Sequence, residues 1–488
     1  MRQVDPRARA VVLSRFDLPD AADLMVSSCE DCACPVSSYQ PVPPVPVTPG
    51  SGSVRWEHAV GTVESRLDDE HRLLFNPLGS CGVVVVNQLA YDVYASLNRW
   101  ADRTDAEDVL RMLAGLELIH PAGQPVRPVI APSQVLTAWL HVTNGCNLRC
   151  PYCYVHKSAE AMDERTGRAA VESVIASALT HGFRTVKLKY AGGEASLNHH
   201  LVDSLHKYAT ELTAASGLRL EATLLSNGVR LPAPLVRTCK EEGIRVMISL
   251  DGVGDQHDVQ RPFANGRPSF HLVERTIADL IDRGCTPHVS VTVTGRNASG
   301  VPDVVRFALE RDLTFSINLF RDNDCAATVS DLRYEEDEII GSLRAAFEVI
   351  ESSLPRWSVL GSVLDRGQLL QPRGRSCGVG QDYLVIDQRG RVAKCHMEIE
   401  RTLGDVFTND PLMLVREDQT SALNLLVDDK QGCKDCTWKY WCSGGCSVAT
   451  FRATGRYDVK SPNCNIYKAV YPDALRLEGL RLLRYAHA

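Results

Sequence analysis

Three cysteines fall within eight positions of the stretch TNGCNLRCPYCYV, residues 143–155: Cys146, Cys150 and Cys153. Three thiolates on one short loop can grip three irons of a [4Fe-4S] cube and leave the fourth iron without a protein ligand, which makes that iron a binding position. A structural zinc ion competes for the same thiolates, but it wants four closed ligands, so His141 or His156 would have to complete the set. Seven more cysteines, Cys377, Cys395, Cys433, Cys436, Cys442, Cys446 and Cys464, crowd a later stretch of loops dense in Gly and Asp. The N-terminus is a poor secretion signal, because its basic residues are not followed by a continuous apolar core and a small-residue cleavage site. We therefore expect a cytoplasmic protein, in which 17 cysteines point to metal or redox chemistry rather than to structural disulfides.

Such groups need elements to position them. At 488 residues the chain exceeds what one hydrophobic core supports, so two to four domains are expected. Apolar residues at 44% and charged residues at 23% are ordinary for a soluble protein, and no apolar run approaches the roughly 18 residues of a membrane span. A net charge of −7 offers no global attraction to nucleic acid.

Residues 1–53 contain SSCEDCACPVSSYQ and then PVPPVPVTPGSGS, low-complexity text that cannot build a core, so a mobile arm is expected there. Its Cys29, Cys32 and Cys34 can bind a further metal, reach an open iron, belong to a fused substrate segment, or be unremarkable tail thiols. Residues 54–128 carry short β patterns (RLLF, CGVVVVN) and two amphipathic stretches, which predict a winged-helix-like α+β module. From 129 to 345, the segments TAWLHV, TVKLKY, RLEATLL, IRVMISL, HVSVTVT and TFSINLF alternate with helix-length amphipathic segments. That alternation predicts an α/β fold, a parallel sheet or a partial (βα)6 TIM-like barrel, with reactive groups gathered at the carboxyl ends of the strands. A bridging helical segment is expected at 346–376, a loop-rich, cysteine-dense domain at 377–470 and a packing helix at 471–488. The scattered Cys81, Cys239, Cys285 and Cys325 read as small core residues.

Cys146-x3-Cys150-x2-Cys153, with Tyr152 before the last cysteine, resembles the cluster loop of the radical S-adenosylmethionine (SAM) superfamily. The likeness continues along the barrel. AGGEAS, with Gly192, Gly193 and Glu194, is similar to the family's Gly-Gly-Glu element, which implies backbone and carboxylate contacts to the SAM amino group. Glycines there would let backbone approach a ligand without a Cβ in the way. LLSNG (Ser226, Asn227) and ISLDG (Ser249, Asp251) resemble positions that meet the ribose and the methionine carboxylate, and Arg261 of HDVQRPFANGRPSF is a candidate for the same carboxylate. Read alone, SNG and LDG are ordinary turn or cap signals.

The seven later cysteines resemble the SPASM extension of that superfamily, which holds two auxiliary clusters. The resemblance implies one [4Fe-4S] cluster on Cys433, Cys436, Cys442 and Cys464. It implies a second on Cys377, Cys395 and Cys446 with one iron open to Asp382, water, an arm cysteine or a substrate group. His396, after Cys395, stands where sulfatase-maturing relatives carry a catalytic Asp. It can serve as a base near neutral pH or be a structural histidine.

Residues 72–123 resemble the winged helix that recognises leader peptides in ribosomal peptide maturation, a module that takes a leader as an added strand. DNA is the competing partner of a winged helix, and it requires positive charge. Residues 54–128 carry seven Arg and no Lys against eleven Asp plus Glu, 7 − 11 = −4, so peptide is favoured.

Together these likenesses imply three [4Fe-4S] clusters and SAM, a precursor peptide with a leader, and a low-potential electron donor of flavodoxin or ferredoxin type. Neither nucleic acid nor membrane is expected as a partner. The implied reaction is an oxidative C–C or thioether crosslink in a ribosomal peptide. Its alternatives are single-residue protein oxidation as in sulfatase or quinoprotein maturation, peptide epimerisation, and small-molecule dehydrogenation. A non-enzymatic iron-sulfur sensor with a DNA-binding winged helix is the reading from another class, and the acidic front module argues against it.

Overall fold

The computed structural model describes residues 9–18, 55–97, 104–367 and 369–486, apart from 127, 129 and 131. Cys29, Cys32 and Cys34 lie outside the described residues.

The front module is built on a four-stranded antiparallel sheet of order β1-β5-β4-β3. Its strands are β1 (Val12–Ser14), β3 (Val63–Arg66), β4 (His71–Phe75) and β5 (Val83–Asn87), while β2 (Trp56–His58) pairs with β6 (Ile119–Pro121). Side chains alternate across this sheet, as strand geometry requires. Leu73, Phe75, Val83 and Val85 merge into the main core, whereas Leu74, Val84 and Val86 pack with Trp56, Val109 and Leu113 into a separate one. Helix Gln88–Ala95 starts at Asn87, whose side chain accepts from the Ala90 amide, the usual remedy for an unpaired amide in a first turn. The expectation of a mobile arm through residue 53 fails for residues 9–18, because Val12–Ser14 is a strand paired with β5.

The six barrel strands form as expected: β7 (Val135–His141), β8 (Thr185–Ala191), β9 (Arg219–Ser226), β10 (Arg245–Ser249), β11 (His288–Val293) and β12 (Phe315–Leu319), parallel and sequentially adjacent. One parity of each strand is apolar and packs under the helices: Leu136, Ala138 and Leu140 on β7, then Val186, Leu188 and Tyr190 on β8. The other parity is polar yet buried, with Thr137 on β7, Lys187 and Lys189 on β8, Thr223 on β9, His288 on β11 and Asn318 on β12. The barrel interior is therefore a polar, enclosed surface.

The sheet does not stop at the barrel. β13 (Tyr383–Ile386) pairs in parallel with β7, and β14 (Arg391–Ala393) and β15 (Thr402–Asp405) extend it antiparallel to nine strands. The region from 377 onward is thus part of the barrel sheet as well as loop-rich. Two further expectations are corrected. Residues 346–376 are not a helical bridge, because helix Glu336–Ser352 ends early in them and only a short turn at Val359–Gly361 follows. The last helix begins at Cys464, not 471, and runs to Tyr485 with Pro472 inside it.

Candidate metal centres

The fourteen described cysteines are all free thiols. Cys150 lies within electrostatic reach of both Cys146 and Cys153, and burial pushes its thiol up to about 12 against the opposing field of Arg261. The loop that carries them is pinned by backbone bonds at both flanks. Gly193 N donates to Thr143 O at 2.6 Å, Glu194 N to Gly145 O at 2.8 Å, and Arg149 N to Pro262 O at 2.8 Å. Donors already converge on the sulfurs: Leu148 N at 3.4 Å and Asn227 Nδ2 at 3.8 Å from Cys146 Sγ, and Lys157 Nζ at 3.1 Å from Cys153 Sγ. Such donors favour thiolate, the form that binds iron.

The later cysteines sort into two groups by the same criterion. Cys395 is within electrostatic reach of Cys446 and Cys377. Cys433 reaches Cys464 and Cys436, and Cys442 reaches Cys464 and Cys433. Between Cys442 and Cys446 the chain takes three left-handed residues in succession, Ser443 (φ 54°), Gly444 (φ 74°) and Gly445 (φ 67°), so that the two cysteines fall into different groups. Among the described residues no three His, Cys, Asp or Glu side chains are drawn around a single ion.

The residues likened to SAM contacts form two networks. In the first, the Glu194 carboxylate, 3% exposed, accepts from Ser226 Oγ at 2.8 Å, Ser196 N at 3.1 Å and Asn227 N at 2.6 Å. In the second, Asp251 Oδ2 accepts from Tyr152 Oη and from Arg261 Nη1, while Oδ1 accepts from Thr292 N at 2.8 Å. Ser249 ends β10 opposite Ser290, outside both networks. Gly192 and Gly193 also have a packing role that the sequence reading did not name. A Cβ on Gly192 would stand 2.4 Å from Thr143 O, and one on Gly193 would stand 2.3 Å from Gly145 O. Their missing side chains let strand β8 close onto the cysteine loop. Gly193→Ala is expected to cost about 1–3 kcal/mol, as overpacking against atoms that cannot yield does, and to lower iron retention, both readable by thermal unfolding and iron assay.

A fit to an additional group is visible in orphaned polar atoms. Arg261 Nε, Gln260 Oε1, Gln256 Oε1 and His141 Nδ1 are buried without partners. His141 ends β7 and the other three follow β10, so they stand toward the carboxyl end of the barrel, on the side of the cysteine loop. The thiol sets, the cationic Lys157 and Arg261 and these unmet donors and acceptors suit iron-sulfur clusters with an anionic ligand.

His396 is buried beneath Trp139, stacked at 4.7 Å between ring centroids, and its Nδ1 bonds Tyr383 Oη at 2.9 Å. Tyr154 packs on it at 5.6 Å and lies within electrostatic reach of both Cys153 and Cys395, so this aromatic group fills the space between the first and second cysteine sets. Asp382 faces Gly378, Ser133 and Arg416. Its burial pushes the carboxyl up from 3.8 to about 7. A raised folded value means that the neutral acid is favoured: the contribution is whole below about pH 4 and is lost as pH rises through about 7. Cluster-free protein should lose on the order of 1.4 kcal/mol per unit across that window, and Asp382→Asn should flatten the slope in urea unfolding at several pH values.

Sequence reasoning passed over Lys157, four residues after Cys153, and Lys430, an ammonium buried at 1% exposure within reach of Cys377, Cys433, Cys442 and Cys446. It also placed Cys325 in the core with Cys81, Cys239 and Cys285. Those three are buried, but Cys325 is half-buried beside His156 Nε2 at 3.5 Å.

A family model described as the Radical SAM superfamily matches residues 140–308. An uncharacterized protein of Methanocaldococcus jannaschii is 27% identical over 171 residues, 35% of this chain and 57% of that protein. The sporulation killing factor maturation protein SkfB of Bacillus subtilis is 28% identical over 171 residues, 35% of this chain and 38% of its own length. A PqqA peptide cyclase of Xanthomonas euvesicatoria is 25% identical over 352 residues, 69% of this chain and 88% of that protein. Among solved structures, native anSMEcpe with bound AdoMet and Cp18Cys peptide superposes with a TM-score of 0.59 at 20% identity, covering 72% of this chain and 99% of that one. At that identity the likeness concerns the fold.

Proposed function

We propose that residues 140–308, which match a family model described as the Radical SAM superfamily, form a radical SAM domain, and that the chain uses SAM to modify a ribosomally made peptide oxidatively, by a C–C or thioether crosslink. The observation that carries this reading is the sorting of ten cysteines into three sets, one on the loop after β7 and two in the region joined to it through β13. Relatives named for peptide maturation and peptide cyclisation support the substrate class. No helix of the described residues is long and apolar enough to cross a membrane.

Cys146, Cys150 and Cys153 would hold a cluster with one open iron for SAM, which supplies a 5′-deoxyadenosyl radical when reduced. Glu194, Ser226 and Asn227 lock the ends of β8 and β9 beside Cys146, so that a ligand meets a preformed wall. Tyr152, Asp251 and Arg261 tie the loop to β10 and β11, and Arg261 Nε, buried without a partner, would be available to an anionic group of SAM. Cys377, Cys395 and Cys446 would hold one auxiliary cluster, and Cys433, Cys436, Cys442 and Cys464 the other, as acceptors for the second electron. Lys157 and Lys430 place positive charge beside thiolates, which favours reduced clusters. A low-potential flavodoxin or ferredoxin would supply electrons. His396, caged by Trp139, Tyr154 and Tyr383, positions those rings rather than exchanging protons with a substrate.

Anaerobically reconstituted protein should contain about twelve irons per chain, four for each of three cubanes, and should form 5′-deoxyadenosine from SAM and dithionite. About four irons would remove the auxiliary clusters from the proposal, and an absence of 5′-deoxyadenosine with candidate peptides would remove the enzyme.

A further inference from the structure

The front module's sheet has two edges of opposite character. β3 alternates half-buried Val63 and Ser65 with exposed Glu64 and Arg66, charges of the kind that guard an edge against pairing. β5 buries four valines in succession, and its outer ladder is taken by a short segment of this same chain. Val12, Leu13 and Ser14 pair antiparallel with Val86, Val85 and Val84.

The contacts of that segment are of two kinds. Asn87 holds backbone alone: its N donates to Val11 O at 3.1 Å, its Oδ1 accepts from Val11 N at 3.0 Å, and its Nδ2 donates to Arg9 O at 2.8 Å. These bonds and the ladder would serve any extended chain. The side chains, by contrast, enter distinct surroundings. Val12 and Phe16 pack on the module's own core, while Leu13 and Leu18 enter the main core. Arg15 is buried, donates to Ser80 O in the module and, at 2.8 Å, to Leu370 O in the segment leading to Cys377, and lies within electrostatic reach of the buried Glu478 carboxylate. Main-chain pairing together with pockets for particular side chains is how sheet edges hold peptide ligands. Charge agrees with this, because residues 9–18 carry two Arg against one Asp, 2 − 1 = +1, and meet a module of net charge −4.

β1 is held less firmly than the strands beside it. It pairs over three residues, where β4 and β5 pair over five. A cavity remains between Arg15, Leu18, Gly82, Val83, Leu370 and Glu478, and atoms that face a void forfeit the dispersion contacts that a packed side would give. Arg9 is exposed, and Ala10, Val11 and Val12 are only half-buried.

We propose that the β5 edge is the docking surface for a separate extended peptide of this same pattern, two aliphatic residues followed two positions later by Arg and an aromatic ring, and that Val12–Ser14 close the edge until such a peptide displaces them; the inference rests on the peptide-substrate reading above. The incoming strand takes over the ladder and the Asn87 clamp, and its Arg meets the carbonyls of Ser80 and Leu370. The chain's own strand therefore sets the threshold for recognition, since apparent affinity falls in proportion to the fraction of time that the edge stands open.

The probe is a synthetic peptide of residues 9–18, RAVVLSRFDL, labelled with a fluorophore and titrated with the full reconstituted chain in the absence of SAM. The unaltered chain should bind it at least about tenfold more weakly than the chain carrying Leu13→Asp, whose own strand is barred from the main core, because the ratio of affinities reports the open fraction. The peptide carrying Arg15→Ala should bind the Leu13→Asp chain at least about tenfold more weakly than the unaltered peptide, the loss expected for hydrogen bonds from a charged group. Amide exchange on the unaltered chain needs no variant: saturating peptide should speed exchange at Val12–Ser14 and leave Val84–Val86 protected. Equal affinity for the two chains, no binding to a folded Leu13→Asp chain, or protection at Val12–Ser14 that saturating peptide does not change would each overturn the inference. Equal binding of the two peptides would strike Arg from the recognised pattern. None of these readouts involves SAM, so their failure leaves the proposed function standing, whereas an absence of 5′-deoxyadenosine removes that function and leaves the competition at β5 intact.

Discussion

Replacing Cys150 with alanine is expected to abolish 5′-deoxyadenosine formation and to lower iron from about twelve to about eight atoms per chain, since one cubane carries four. The effect is all-or-none because the loop offers three thiolates to a four-iron cube, and two do not hold it in a position with one iron free. The auxiliary clusters should persist in this variant, because their cysteines lie in separate sets. Iron assay together with electron paramagnetic resonance of the dithionite-reduced protein reads both halves of the expectation. Retention of SAM cleavage would sink the assignment of Cys150.

Asp251→Asn should carry the largest cost to stability. Asp251 is fully buried and meets Arg261, which is itself 8% exposed, along with Tyr152 and the Thr292 amide. Removing the negative charge leaves the guanidinium buried without a counter-ion, a change worth about 3–5 kcal/mol. It also frees Tyr152, one residue before Cys153, so the first cluster should load poorly as well. Urea unfolding of cluster-free protein isolates the first effect; a change in midpoint corresponding to less than about 1 kcal/mol would mean that solvent reaches Arg261 far more than the packing indicates.

Much of this arrangement was legible in the residues. The six barrel strands announced themselves as short apolar runs between amphipathic helices, and the grouping of the later thiols came from a family resemblance in their order. What escaped were features set by pairing across long sequence distances. β1 is three residues long and precedes a Pro-rich run, so no periodicity marks it. Its partner is more than seventy positions away. β13 reads as one more loop-flanked apolar run, and nothing local says that it pairs with β7. Lys187 and Lys189 alternate within TVKLKY, a pattern that sequence alone assigns to a solvent-facing side, whereas barrel closure turns that side inward. The packing role of the two glycines of AGGEAS is not legible locally, because the loop they accommodate lies about fifty residues earlier and its proximity is a tertiary fact. Lys430 carries no motif at all.

The pairing of β13 with β7 fixes the spacing of two thiol sets. Cys395 follows β14 and Cys146 follows β7, so the first and second thiol sets hang from one continuous hydrogen-bonded ladder, with Tyr154 and His396 wedged between them. Sliding β13 by a single residue would reverse the facing of its side chains, which the core of Val385, Tyr383 and Trp139 forbids. The gap between the two thiol sets is therefore a fixed length written into strand register. If clusters occupy both sets as proposed, the distance an electron must cross between them is set by the fold and not by loop motion.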